Sequence, residues 1–98
     1  MKKHVEVPVV VTTEYKGVFF GFLPKGGDFT QTTLRLTQAQ MCVYWTSQTH
    51  GVLGLASSGP ESGSRVGPTV PAITLQKITS VIEATQDAAE AWQKSPWL

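Results

Sequence analysis

The chain has 98 residues, of which 41% are hydrophobic and 15% charged, and its formal net charge is +1. This length supports one domain with a modest core, and the apolar fraction argues against a chain that is disordered throughout. Eight Lys and Arg residues balanced by seven acids argue against the basic surface that general nucleic-acid or membrane-surface binding requires. We therefore expect a single domain, residues 1–98, with a neutral polar surface.

The start of the chain does not resemble a targeting segment. The residues after Lys2 and Lys3 alternate and include Glu6 and Pro8, whereas a signal peptide has an uninterrupted apolar block. No run approaches the roughly 20 apolar residues of a membrane-spanning helix. The single Cys42 cannot form an intramolecular disulfide. These features predict a protein of a reducing cytoplasm.

The first half of the chain is patterned as short β-strands. Residues 4–13 place valine at every second position, the period of a half-buried strand, and Pro8 indicates an edge or a bulge. Three further strands are predicted, at 18–23, about 32–36 and 41–45. Turns or polar breaks between the four strands are expected at 14–17, 24–28 and 37–40. With Gly21 marking a bend, this order is typical of the start of a small, strongly bent antiparallel barrel.

A short helix and a long loop are predicted next. Residues 51–58 space their apolar side chains like one or two turns of amphipathic helix, and Gly59 followed by Pro60 ends that helix. Residues 61–71 contain little to bury, so we expect a long loop there. Long loops in a domain of this size are usually functional or mobile.

The tail fits two patterns. Apolar residues that step by three and four would allow one helix over about 75–94. The β-branched cluster at 78–82 and the helix-start residues Thr85 and Asp87 instead favour a strand over 78–84 and a helix over 86–94. We adopt the second pattern, in which the fifth strand closes the sheet and Trp92 packs on it.

The predicted fold class is therefore α+β and β-rich. We expect a small bent antiparallel sheet, or a barrel-like sheet, of about five strands. A short helical insertion follows the fourth strand, and a helix ends the domain.

Several short blocks occur in a recognisable order: GVFFGFL (17–23), CVYW (42–45), LGLASSGP (53–60), SRVGP (64–68), ITL (73–75), and VIEAT with the alanine-rich segment after it (81–91). In this order they resemble the DUF6948 family of small uncharacterised proteins, found mainly in bacteriophages and prophages. The resemblance runs from about Val9 to Trp92, and its specificity lies in the order of the blocks. It implies a phage origin and therefore a host cytoplasm, and the family has no known activity that can be carried over to this chain.

Residue types that usually carry catalysis or bind metals are scattered. His4, His50 and the lone Cys42 have no carboxylate pair at ligand spacing. Cys42 lies in an apolar run, where a thiol is usually buried and inert. His50 could act as a base with Glu61 as its partner, but the spacing specifies no nucleophile. No Walker phosphate-binding pattern is present. The sequence therefore predicts a non-catalytic protein with no metal or cofactor.

The candidate ligand-binding segment is the loop that carries Ser62, Ser64 and Arg65. Such a loop can offer backbone N–H groups and hydroxyls, and Arg65 can bind an anion in bidentate fashion. In the alternative interpretation, the loop is a solvated surface segment whose arginine pairs with a local acid such as Glu61.

Tyr44 and Trp45 complete the candidate site. Adjacent residues of a strand point to opposite faces, so one ring should lie in the core and the other should be exposed, unless a helix covers both. An exposed ring beside Arg65 would provide a stacking surface next to an anion-binding group. That arrangement suits a nucleotide-like ligand, and it equally suits a protein partner.

We expect a phage-type accessory protein that binds without catalysis and inhibits a host defence. Its target would be a host protein or a small nucleotide-like ligand. One alternative is a virion structural or assembly protein. Another is a small-barrel nucleic-acid-binding module, because the first four strands loosely resemble Sm-like and SH3-like barrels. Exposed edge strands, with apolar Trp97 and Leu98 near the end of the sequence, predict a homo-oligomer.

Overall fold

The computed structural model describes residues 6–24, 32–61 and 63–95. The strands in these ranges are β1 (Glu6–Thr13), β2 (Gly17–Pro24), β3 (Leu34–Tyr44), β4 (Arg65–Val66), β5 (Val70–Leu75) and β6 (Ile78–Glu83). The helices are α1 (Gly51–Ser57) and α2 (Gln86–Lys94), with short 3-10 turns at Glu14–Lys16 and Ser47–Thr49. Most of the turn predicted at 24–28 lies outside the described residues, as do His4, Ser62, Trp97 and Leu98.

The strands form one antiparallel sheet in the order β4-β3-β2-β1-β6, and β5 also pairs with β3. β5 and β6 belong to opposite ends of this order, although only Gln76 and Lys77 separate them in sequence. The sheet must therefore bend strongly to bring its two ends together at that turn. The predicted β-rich α+β class, with a bent sheet, an inserted helix and a C-terminal helix, is confirmed.

One part of the prediction for the sheet is wrong, because the last strand does not close it. β6 pairs with β1 in register from Val9↔Glu83 to Thr13↔Ile78. β5 pairs with β3 on the far side of the sheet. The sheet is bent but remains open.

The polar break predicted at 37–40 is also wrong, because β3 runs through it. Gln38 adopts a positive φ of 48°, and the pairing with β2 changes register between Phe20 and Phe22. Such a bulge shifts the alternation of side chains. Ala39 and Gln40 are consequently both buried next to each other. The two short strands predicted at about 32–36 and 41–45 are therefore one long strand, in which the bulge shifts the alternation of buried and exposed side chains.

The loop predicted over 61–71 is partly strand. Residues 65–66 and 70–75 lie in succession along β3, with Gly67 N–H donating to Met41 O between them at 2.8 Å. Pro71 has no N–H to donate, so it suits a strand at the edge of a sheet. The Gly and Pro residues that favoured a loop therefore belong to an edge of the sheet made of two short strands, β4 and β5, with a break between them.

The tail follows the second predicted pattern, with β6 and α2 in place of one long helix. Thr85 caps α2, because its hydroxyl accepts a hydrogen bond from Ala88 N–H at 3.0 Å. The same hydroxyl donates to Ser57 O at 2.8 Å, at the end of α1. Gly59, at φ +85°, lies where a Cβ would collide with Ala91 on α2. These contacts fix the two helices against each other.

The sheet carries buried side chains on both of its faces. Val10, Phe20, Leu55 and Trp92 belong to a core cluster beneath the helices. A second cluster lies where the bent sheet folds over itself, and it contains Val9, Val11, Leu23, Leu34, Leu36, Ala39 and Leu75. Three consecutive residues of β1 (9, 10 and 11) are therefore fully buried.

Trp92 joins α2 to the sheet and to α1. Its ring stacks on Phe20 with the ring centroids 5.2 Å apart. Its indole N–H donates to Leu55 O at 3.0 Å. The prediction that Trp92 packs on the sheet is confirmed.

Replacing Trp92 with Phe should lower the free energy of unfolding by about 2 kcal/mol, because it removes ring area and leaves the buried Leu55 carbonyl without a donor. Urea denaturation followed by circular dichroism measures this change. Gln93→Ala, at the exposed neighbouring position of the same helix, should stay within about 0.5 kcal/mol of the wild type. Equal stabilities of the two variants would contradict the role assigned to Trp92.

Candidate functional site

Tyr44 and Arg65 are cross-strand partners at the end of β3. Val66 is buried with Cys42 in the helix-side core. Since neighbouring strand residues point to opposite faces, Arg65 points away from that core. The register shifts between Cys42 and Tyr44, and both Val43 and Tyr44 are exposed, at 48% and 56%. The structure thus brings together one predicted aromatic and the predicted anion-binding residue.

Arg65 is exposed, but it is not without an interaction in the chain. A carboxylate or phosphate at this position would therefore share or replace that contact. Guanidinium groups have five donors in a rigid fork, so one group can serve two acceptors.

Trp45 has a different environment from Tyr44. It is half-buried and packs against the helix-side core, as does Val52 of α1. Trp45 also lines a hollow with Val18 and Val52. Of the two adjacent aromatics, Tyr44 is therefore exposed and Trp45 is packed, although Trp45 follows the last residue of β3.

Ser64 is buried, with only 2% of its surface exposed. Its hydroxyl accepts from Thr46 N–H at 3.3 Å and lies 3.4 Å from the Thr49 hydroxyl. The Thr49 hydroxyl in turn accepts from Glu61 N–H at 3.1 Å. Ser64 therefore ties the loop to the segment after β3. Its predicted role at a ligand, like that of Ser62, which lies outside the described residues, stays a prediction.

An apolar groove of about 330 Å³ lies directly before Tyr44 along β3. Its walls include Met41, Val43 and Val70, each between 39% and 48% exposed. Phe19 and Ile73 also line it. Sequence reasoning missed the groove because Val70 was assigned to a loop, and its proximity to β3 follows only from the pairing of β5.

A second hollow, of about 510 Å³, lies at the other aromatic. Trp45 and Val52 line it together with Tyr15, Glu14 and Thr79. Tyr15 is 94% exposed and has φ 63° and ψ 29°. No sequence pattern singles out Tyr15 beyond its place in the predicted turn.

The site residues lie within the part of the chain that matches a known family. A family model with the description Domain of unknown function (DUF6948) matches residues 6–92. The chain belongs to the DUF6948 family. No curated protein and no solved structure matches it.

Across 6–24, 32–61 and 63–95, no three or more His, Cys, Asp or Glu side chains are grouped so that they could hold a metal ion. None of the helices in those ranges has the length and apolar character needed to cross a membrane.

Cys42 is buried, as predicted, and its thiol donates to Tyr44 O at 3.3 Å. Burial, the larger effect, raises the pKa of the Cys42 thiol above its ordinary value of 9.0, and the hydrogen bond with the Tyr44 backbone acts in the opposite direction. The thiol is therefore protonated at neutral pH, which is the unreactive form.

The raised pKa predicts how Cys42 contributes to stability. Its protonated form is favoured in the folded state, so the contribution is fully present below the unfolded-state pKa and is lost as the pH rises above it. We expect the free energy of unfolding of the wild type to fall more steeply above about pH 9 than that of Cys42→Ala. Denaturant titrations at neutral and alkaline pH measure both slopes, and parallel slopes would contradict the assignment.

Proposed function

We propose that this DUF6948 protein is a non-catalytic, phage-type accessory protein that binds a host protein at the exposed end of β3. The observation that carries the proposal is the Tyr44–Arg65 pair at the end of the apolar groove. Aromatic residues, Met and Arg are enriched at protein interfaces, and Tyr and Arg are frequent hot spots. The protein acts in the host cytoplasm, where it inhibits a defence by occupying one of its components.

The groove and the arginine together define the chemistry of the partner. Met41, Val43 and Val70 offer apolar surface to an apolar anchor side chain. Arg65 offers charge-assisted hydrogen bonds to a carboxylate next to that anchor. We therefore expect the partner to present an apolar residue beside an acidic one.

The state of Cys42 supports binding rather than catalysis at this surface. The Cys42 thiol lies adjacent to the site, and burial keeps it protonated with its hydrogen directed at Tyr44 O. A thiol in that state is a poor nucleophile.

A nucleotide-like ligand is the second candidate, and the cross-strand register of Tyr44 and Arg65 favours it. A base could stack on the tyrosine ring while the guanidinium binds a phosphate. In this version the protein sequesters a small molecule of the host.

The proposal includes a homo-oligomer. β5 and β6 lie at the two ends of an open sheet, and strand edges of this kind can pair between copies of one chain.

Tyr44→Ala and Arg65→Ala should each weaken binding of the host protein about tenfold or more, because each removes a central contact. The partner is captured from a bacterial lysate with the wild type, identified and purified, and its affinity is then measured by calorimetry. Leu53→Ala is the matched control, since Leu53 is 70% exposed on α1, outside the groove.

Native mass spectrometry of the protein purified from bacterial cells separates the two candidates. A nucleotide-sized adduct present in the wild type and absent in Arg65→Ala decides for the small ligand. Partner and ligand affinities that both survive the double substitution at Tyr44 and Arg65 would overturn the site.

A further inference from the structure

Tyr15 is held in an unfavourable conformation without any compensating burial. Its φ of 63° and ψ of 29° lie in the left-handed region, which bulky side chains rarely adopt. Its side chain is 94% exposed. An unfavourable backbone conformation at a position that contributes nothing to the core points to a role outside folding, because such conformations cluster at functional sites.

The neighbouring turn holds Tyr15 in place. Glu14 N–H donates to Lys77 O at 3.1 Å, and the Lys77 ammonium lies 3.7 Å from the Glu14 carboxylate. Lys77 also has a positive φ, of 57°. The β1–β2 turn and the β5–β6 turn thus brace each other, and Tyr15 is presented from a fixed backbone.

Tyr15 borders the hollow of about 510 Å³ that Trp45 also lines, and its exposed side chain is available at the rim. Val18 and Val52 add apolar surface to it. The volume is in the range of ordinary ligand sites, roughly 300–1,000 Å³. The hollow therefore combines two aromatic residues with an apolar wall, and neither Tyr44 nor Arg65 lines it.

Both rings carry a hydrogen-bond donor. Neither the Tyr15 hydroxyl nor the Trp45 indole N–H bonds to another residue within 6–24, 32–61 and 63–95. The nearby hydroxyls of Thr12 and Thr79 are bonded to each other at 2.6 Å. The hollow thus offers apolar surface together with two donors that an acceptor on a ligand can reach.

We propose that this hollow is a second binding site, which takes a proline-rich segment of a partner protein in the polyproline II conformation. Proline has no N–H and presents its carbonyl as an acceptor, so a proline-rich chain matches a surface of rings and donors. Aromatic-lined grooves recognise such segments in other small β-rich domains. The site does not depend on the function proposed for the Tyr44–Arg65 surface.

The Glu14 carboxylate favours a peptide that carries a positive charge. Its carboxylate is about half exposed at the edge of the hollow, and its ion pair with the exposed Lys77 is of the weak surface kind. A basic residue flanking the prolines could therefore compete for it.

The test is a titration of the full chain with a synthetic oligoproline peptide that ends in lysine. The nuclear magnetic resonance signals of the indole N–H groups are recorded at each step. Trp45→Phe assigns the Trp45 signal. We expect that signal to shift with the wild type, and a Gly/Ser peptide of the same length to leave it in place. Trp45→Phe keeps a ring without the donor and should bind several-fold more weakly.

Tyr15→Asn is the decisive variant. Asparagine tolerates the left-handed region, so the variant should unfold at a denaturant concentration no lower than the wild type. Its affinity for the oligoproline peptide should fall about tenfold, whereas Tyr44→Ala should bind the peptide like the wild type.

Three results would overturn this site: an unshifted Trp45 signal, equal binding of the Gly/Ser peptide, or an unchanged affinity in Tyr15→Asn. The outcome is distinct from that of the first proposal. If Tyr44 and Arg65 prove not to bind the host protein, binding of the oligoproline peptide is still expected. If Tyr15 proves not to bind the peptide, binding of the host protein is still expected.

Discussion

The fold depends on the burial of β1 on both of its faces. Val9, Val10 and Val11 are consecutive, and all are fully buried. Because side chains alternate along a strand, three buried neighbours require cover on both faces of the sheet. The helices cover one face through Leu55 and Trp92. The sheet covers the other by bending over itself.

This arrangement explains where the exposed surfaces occur. β3 extends beyond the part that is covered on both sides, so Val43 and Tyr44 emerge at its end while Cys42 remains in the core. The edge segment that contains Arg65 follows β3 to the same place. The β1–β2 turn lies where these two strands end, and Tyr15 is left without cover there. Both proposed sites thus lie at the edge of the buried core.

Much of the fold could be predicted from the sequence because the signals are local. Valine at every second position gave the first strand, and Thr85 with Asp87 gave the start of α2. The Gly59-Pro60 pair gave the end of α1, which the structure places at Ser57. Each of these signals depends on neighbouring residues alone.

The remainder depends on contacts between distant residues. The bulge at Gln38 changes which face of β3 is buried, so an alternation rule applied across it predicts a break. β4 and β5 are strands only because β3 offers them an edge. The same applies to the candidate site. The adjacency of Tyr44 and Trp45 was visible in the sequence, whereas the Tyr44–Arg65 register and the position of Trp45 and Tyr15 at one hollow were not.

The doubly covered β1 is expected to support a surface at the end of β3 that is already formed in the free protein. Hydrogen exchange of the free protein, resolved by residue, distinguishes this from a surface that forms only on binding. We expect the slowest exchange at Val10 and Val11, set by global unfolding, and clear protection of Met41, which pairs with β2, and of Cys42, which pairs with β4. Rapid exchange at Met41 and Cys42 alongside a protected β1 would instead mean that the surface forms only on binding.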